Sequence, residues 1–316
     1  MTVTRRSALI AGLGALVGAG GLYAFLSRNP SVATVRARLS GTLPAPTDPL
    51  SVFHLGHSLV NRDMPAMLAQ LAPAGHRYDS QLGWGTTLQA HWGDAEINGF
   101  ETENAHPRFR PAIEAVESGD YDAIVFTEMV EIRASIRWYD SPKYLALWAE
   151  KALEARPDVR LYLYETWHQL DDPEGWLTRL DLDHERYWLK QVLGPALARL
   201  PKGAQIHLIP AGPVLAAFVR AVEAQGGVGN VRDRNDLFAR HDDGTLDMIH
   251  LNDLGNYLVA LVHFTVLYHA SPVGLPYALA RVDGTPFNAP DPETTRLMQD
   301  MTASVVERLG LSGTST

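Results

Sequence analysis

The stretch Ser51-Val52-Phe53-His54-Leu55-Gly56-His57-Ser58-Leu59-Val60 sets the frame for the rest of the chain. Its apolar run, Val52–Leu55, lacks the polar alternation of a half-solvated strand and reads as a short strand buried on both faces. Gly56-His57-Ser58 then reads as a strand-to-helix turn. The same unit, a short apolar run followed by a longer amphipathic one, recurs along the chain. Further candidate strands are Tyr78–Leu82, Ala123–Thr127, Val159–Tyr164 and Ile206–Ile209. Helix-like stretches are Pro65–Leu71, Arg108–Glu117, Pro142–Ala155, Glu174–Leu200 and Val214–Ala224, then Asp253–Tyr268 and Pro292–Leu309.

This alternation predicts an α/β fold: a three-layer, doubly wound, five-stranded parallel sheet of the flavodoxin-like kind, covered by helices on both faces. No repeat of fixed period is visible. Leu88–Arg108 carries weak signals and reads as loop or short helix, and Gly226–Asn230 as a mobile surface loop. The 316 residues contain no cysteine, which removes disulfides, cysteine-ligated metal centres and a thiol nucleophile. With 20% charged and 46% hydrophobic residues the chain can build a core and is not of the disordered class. A net charge of −9 argues against nucleic-acid binding, which needs a basic face to displace counterions.

Ahead of the domain, Thr4-Arg5-Arg6-Ser7-Ala8-Leu9-Ile10 leads into an uncharged, glycine-rich apolar run ending at Leu26. A basic start before such a run reads as an export signal, and paired arginines with mild hydrophobicity point to the twin-arginine type. The expected partner is then the twin-arginine export machinery, and the expected location the bacterial periplasm. Ser31-Val32-Ala33 supplies small residues for cleavage. The alternative is an uncleaved run that anchors the chain at the periplasmic face of the inner membrane, since it approaches a bilayer-spanning length. The expected organisation is residues 1–33 as signal or anchor, 34–50 as a linker rich in proline (Pro44, Pro46, Pro49), and 51–316 as one domain.

In doubly wound sheets, ligands meet the rim beyond the carboxyl ends of the strands. Here that rim carries Gly56-His57-Ser58, Gly83-Trp84-Gly85-Thr86-Thr87, Thr127-Glu128, Glu165-Thr166-Trp167-His168 and Pro210-Ala211-Gly212. Ser58 is either a hydroxyl exposed near a helix N-terminus, where backbone N–H groups stabilise an anion, or a plain N-cap. It does not sit in a Gly-x-Ser-x-Gly elbow, because Val60 occupies the last position. In Asp247-Met248-Ile249-His250 a carboxylate precedes a histidine by three residues. That spacing lets it orient one imidazole nitrogen and leave the other to take a proton from a serine. A surface turn is the plainer alternative.

Taken together, these blocks resemble the SGNH (GDSL-like) hydrolase family. Gly56-x-Ser58-Leu59 follows the first strand, a glycine-rich turn follows the second, and Asp247-x-x-His250 precedes the last helices. Asp247-Met248-Ile249-His250-Leu251-Asn252, running on to Gly255 and Tyr257, is similar to the family's last block, and Ile206–Gly212 to the strand before it. The resemblance spans roughly residues 51 to 270. It implies an esterase without cofactor in which Ser58 attacks an ester carbonyl, His250 is the base and Asp247 orients it. It also implies an oxyanion hole made of the Ser58 N–H, a glycine N–H and an asparagine side chain. Gly85 fits the glycine place, since Gly85-Thr86-Thr87-Leu88 looks more like the family's turn than Gly83 does. The asparagine is missing after the third strand; Thr127 is the candidate donor there, and Glu128 a candidate for the rim, as in branches with a Gln-Glu-like pair.

His57, Trp84, Trp167 and His168, with Glu128, are the candidate substrate contacts, because flat aromatics stack on sugar rings. A solvent-facing loop position for His57 and core lids for the tryptophans are the structural alternatives. The expected substrate is a small-molecule or glycan ester, O-acetyl foremost, on cell-envelope or polysaccharide sugars. An acyltransferase using the same site and a non-catalytic glycan-binding protein are the other readings. Asp63 beside Pro65 is the expected cap of the first helix. His241, Asp242, Asp243, Asp247 and His250 form a local cluster, but their spacing matches no metal motif and Asp242-Asp243-Gly244 reads as a turn, so no metal is expected.

Overall fold

In a computed structural model, which describes residues 29–314, the five apolar runs pair side by side and all in parallel. They are β1 (Ser51–Leu55), β2 (Arg77–Gln81), β3 (Ala123–Thr127), β4 (Arg160–Glu165) and β5 (His207–Pro210), in the order β2-β1-β3-β4-β5. That is the expected doubly wound order, with its switch point between β1 and β3. β1 and β3 are buried along their whole length, which is why neither alternates with polar residues.

The helices are α1 (Val32–Leu39), α2 (Asp63–Leu71), α3 (Phe100–Asn104), α4 (Ala112–Glu117), α5 (Ile132–Trp138) and α6 (Ser141–Ala155). They continue with α7 (Trp176–Asp183), α8 (Gly194–Arg199), α9 (Ala211–Ala224), α10 (Asp253–Tyr268) and α11 (Pro292–Leu309). Successive strand residues point to opposite faces and so feed two cores. Val52, Val125, Tyr162 and Tyr164 pack with α2, α9, α10 and α11, whereas Phe53, Phe126, Leu161 and Leu163 pack with α1, α4, α6 and α8.

Several expectations change. The stretch Glu174–Leu200 is not one helix: between α7 and α8 runs a π-type segment, His184–Leu193, and Pro195 opens α8. A proline has no N–H to donate, so a uniform ladder cannot pass through it. The expected linker, 34–50, begins as helix. Ser31 caps α1 through the Thr34 N–H at 3.1 Å, and Val35 and Leu39 are buried in the second core. Ala33, the expected cleavage position, therefore lies in the first turn of a docked helix. The arginine pair and the apolar run to Leu26 lie outside the described residues, among which no helix is long and apolar enough to cross a membrane.

Two short strands were not legible in the sequence: β6 (Phe238–Arg240) and β7 (Leu246–Leu251), an antiparallel hairpin closed by the Asp242-Asp243-Gly244 turn. The Gly226–Asn230 segment, expected to be mobile, is instead tied down. Val228 pairs with Val231, both side chains are buried, and Thr294 Oγ1 donates to the Val228 carbonyl at 2.9 Å.

Candidate active site

The site is built where β1 ends. Gly56 has no room for a side chain, since a Cβ there would lie 2.6 Å from the Cβ of Thr127. This close approach seats the turn after β1 on the end of β3. Asn61 then adopts φ +45°, a left-handed conformation that asparagine tolerates. Its Oδ1 accepts from the N–H groups of Asp63 (2.8 Å) and Met64 (2.9 Å), so Asn61 and not Asp63 caps α2. Asp63 instead accepts from the Val282 N–H at 2.9 Å. The Asn61 amide also donates to Asn256 Oδ1 on α10 at 2.8 Å. Ser58 thus sits in a turn clamped between β3 and α10.

The other half comes from β7. Residues three apart in a regular strand point to opposite faces. Here the register slips between the Phe238 and Arg240 pairings, and Asp247 Oδ1 accepts from the N–H groups of Ile249 (2.8 Å) and His250 (2.9 Å). The strand folds locally and its two side chains meet, with His250 Nδ1 2.8 Å from Asp247 Oδ2. His250 Nε2 lies 3.0 Å from Ser58 Oγ, across a separation of 192 residues in sequence. With the proton on Nδ1 donated to the carboxylate, Nε2 accepts from the serine hydroxyl, the arrangement a serine nucleophile requires. Burial alone pushes the Asp247 carboxyl up, but the two backbone N–H groups and the imidazole outweigh it and hold it below the usual carboxylate range. Asp247 is therefore ionised near neutral pH.

Ser58, His250 and Gly85 line one cavity of about 720 Å³, together with Trp84, Asn61 and Gln169. Among the described residues no acceptor engages the N–H of Ser58 or of Gly85. Both amides are available to a developing oxyanion. Gly85 has φ +55° and open space where a Cβ would stand, so backbone conformation, not crowding, demands glycine here. Trp84 is 52% exposed; its Nε1 donates to Glu103 Oε1 at 2.7 Å and its ring packs against Gly99, which makes it a fixed aromatic wall.

Four of the expected substrate contacts and the third oxyanion donor are placed differently. Thr127 is fully buried beneath Gly56 and does not line the cavity. Glu128 is also fully buried. Its Oε1 accepts from the N–H groups of Met129 (2.8 Å) and Leu88 (3.4 Å), tying the end of β3 to the turn that carries Gly85. Burial pushes its carboxyl up to about 7. His57 faces neither solvent nor substrate. Its ring spans the Glu128 carbonyl (2.9 Å) and the Leu59 N–H (3.3 Å), and burial holds the imidazole down to about 4. Trp167 and His168 lie behind β7: Trp167 Nε1 donates to the Ile249 carbonyl at 2.7 Å, and His168 Nε2 is 3.1 Å from Asp183 Oδ2. The shared cause is depth. Residues just past β1, β3 and β4 still lie between two helical layers, so polarity there marks internal bonding more often than exposure.

Three contributors were missed. Asn61 and Gln169 line the cavity, and the Leu170 N–H donates to the Met248 carbonyl at 2.8 Å. An asparagine just ahead of an apolar helix start was the available signal for the first; nothing in the sequence marked the other two. The Leu170 and Trp167 bonds hold β7 against the end of β4. Trp167→Phe removes the indole N–H, which strands the Ile249 carbonyl, and with it part of the buried ring volume. We expect a loss of about 1–2 kcal/mol in stability and a several-fold drop in kcat with KM nearly unchanged, read by thermal melts and steady-state kinetics. Among the described residues no three His, Cys, Asp or Glu side chains gather as a metal site, and Asp243 accepts from Thr245 within the hairpin turn.

No family model and no curated protein matches the sequence. Among solved structures, a DUF4886 family protein from Bacteroides uniformis is similar at 15% identity and TM-score 0.45, covering 82% of this chain and 95% of that one. A putative GDSL-like lipase from Parabacteroides merdae is similar at 11% identity and TM-score 0.41, covering 72% and 98%. A gut microbial diltiazem-metabolizing enzyme is similar at 11% identity and TM-score 0.36, covering 73% and 50%.

Proposed function

We propose that this chain is a serine esterase of the SGNH type that hydrolyses O-acyl esters, O-acetyl foremost, carried by sugars. One observation carries the reading. Asp247, His250 and Ser58 form an unbroken hydrogen-bonded relay that opens into a cavity where two backbone amides have no partner among the described residues. In the reaction, Ser58 Oγ forms a bond to the acyl carbon while its proton passes to His250 Nε2. The Ser58 and Gly85 amides receive the charge on the carbonyl oxygen. His250 returns the proton to the departing alcohol, and a water then repeats the sequence to free the acid. His250 is 44% exposed at its side chain, so water reaches the acyl-enzyme directly, which favours hydrolysis over transfer. Trp84 supplies a flat face for a sugar ring. The reading includes export through the twin-arginine route, tested by locating the full-length protein in periplasmic and cytoplasmic fractions with Arg5 and Arg6 intact or replaced by lysine.

The chemical test is incubation with 4-nitrophenyl acetate and, separately, with a fluorophosphonate. Release of nitrophenol and a mass increase on the peptide holding Ser58 are expected. An intact protein that neither turns over the ester nor takes up the phosphonate at Ser58 would refute the assignment.

A further inference from the structure

The oxyanion hole stands on two separate turns. Thr127 lies away from the cavity, so the developing charge falls to the Ser58 amide, after β1, and the Gly85 amide, after β2. Two donors serve one oxygen only if their spacing is held. His91, a buried residue that the relay does not use, bridges the two turns. Its Nε2 donates to the Gly56 carbonyl at 2.7 Å, just ahead of His57 and Ser58. Its Nδ1 accepts from Gln81 Nε2 at 2.9 Å, and Gln81 Oε1 accepts from the Ala112 N–H at 2.8 Å. The direction of this chain is set at both ends, because a carbonyl can only accept and a backbone N–H can only donate. One orientation of the Gln81 amide and one tautomer of His91 satisfy it, with the proton on Nε2. Burial holds that imidazole down to about 4, so it is neutral near neutral pH. The Gly56 N–H in turn donates to the Gln81 carbonyl at 3.1 Å, so both polar groups of Gly56 are tied to the end of β2. On the other side, the His91 N–H donates to the Thr87 carbonyl at 3.3 Å, and the Ala90 N–H to Thr87 Oγ1 at 3.1 Å. Thr87 belongs to the turn Gly85-Thr86-Thr87-Leu88. His91 is thus bonded through its ring to the Ser58 turn and through its backbone to the Gly85 turn.

We propose that His91 is the positioning residue of the oxyanion hole, fixing the spacing of the Ser58 and Gly85 amides by joining the turns that carry them. Its effect on turnover rests on the esterase reading; its hold on the two amides does not. His91→Leu keeps most of the bulk and removes the donor to Gly56, whereas His91→Gln restores an amide N–H that reaches the same carbonyl. On 4-nitrophenyl acetate, His91→Leu is expected to lower kcat by about 100-fold, the scale of a misplacement of ~1 Å, with KM nearly unchanged because the ester's ground-state contacts are untouched. His91→Gln recovers most of that loss. A merely structural histidine would lower the melting temperature of both variants with no split between kcat and KM and no rescue. Rates are taken well below each variant's melting temperature. If His91→Leu does not fold, His91→Asn, whose shorter amide reaches Gln81 but not Gly56, takes its place. The amides themselves are read by nitrogen–proton NMR of the substrate-free protein: the Ser58 and Gly85 resonances broaden in His91→Leu and stay sharp in wild type and His91→Gln. If wild type hydrolyses no ester, the esterase reading fails and these spectra alone decide the role of His91. A kcat of His91→Leu within about threefold of wild type, a glutamine variant no faster than the leucine one, or sharp Ser58 and Gly85 amides in His91→Leu overturns it.

Discussion

Replacing Ser58 with alanine is expected to lower kcat on 4-nitrophenyl acetate by about 10⁴-fold or more, with the melting temperature almost unmoved. Ser58 Oγ has a single hydrogen-bond partner among the described residues, His250 Nε2, so its removal leaves the fold's bonding intact. His250→Ala is expected to match it, and the double replacement to cost little more, because residues of one relay fail together and not additively. Asp247→Asn is the sharper test. The asparagine oxygen still accepts the Ile249 and His250 N–H groups that shape the strand. Its amide nitrogen, however, then faces His250 Nδ1 as a donor, which moves the imidazole proton to Nε2. An Nε2–H cannot accept from the serine, so the geometry survives and the chemistry does not; a loss of about 10⁴ is the usual scale of that error. Steady-state kinetics with melts on all four variants checks it. Activity of Ser58→Ala within tenfold of wild type would remove Ser58 as nucleophile.

What the sequence made legible follows from burial. Val52–Leu55 and Ala123–Thr127 are readable as central strands because both their faces are covered, so apolar residues run unbroken. The pairing of Asp247 with His250 is readable because three residues is a local distance, whatever the element. The hairpin that carries the pair is not: its first strand has three residues, its second is mostly half-exposed, and neither shows a clean period of two. Helix α1 was hidden for a related reason, since its few apolar side chains follow a signal-like run and precede prolines. The depth of His57, Glu128 and His168 was not legible at all, and that of Trp167 only as the core-lid alternative. A polar residue at a strand's carboxyl end looks the same whether it meets substrate or a neighbouring carbonyl. Only the second and third layers of the fold decide, and Trp84 alone among the expected substrate contacts ended on the open side.

Stability is expected to fall steeply as pH drops from 6.5 toward 4, before most carboxylates titrate. His57, His91 and His263 are fully or almost fully buried, and burial holds each imidazole down to about 4 against an ordinary value of 6.5. His54, packed beside His263 with ring centroids 5.9 Å apart, is pushed the same way by burial and then by that neighbour's charge. Between these limits the unfolded chain binds protons that the folded one refuses. Stability is therefore fully present above 6.5 and is lost as pH falls through the window. Each of the three amounts to ~3 kcal/mol at the acid end. Glu128 acts in the opposite sense. Its folded form keeps a proton up to about 7 where the unfolded one loses it near 4.5, so it favours the fold in acid and offsets one histidine. His184 also opposes: burial lowers its imidazole, the Glu165 carboxylate outweighs that, and its contribution is present below 6.5 and fades as pH rises through its raised value. The histidines outnumber these two, and a total stability of ~5–15 kcal/mol leaves little reserve. The melting temperature measured at half-unit steps from pH 8 to 4 should hold nearly level to about 6.5 and then collapse, with unfolding in the cold near pH 5. His263→Leu should flatten that slope by one proton; a profile level from pH 7 down to 4.5 would show that these imidazoles are charged, and solvated, in the folded protein.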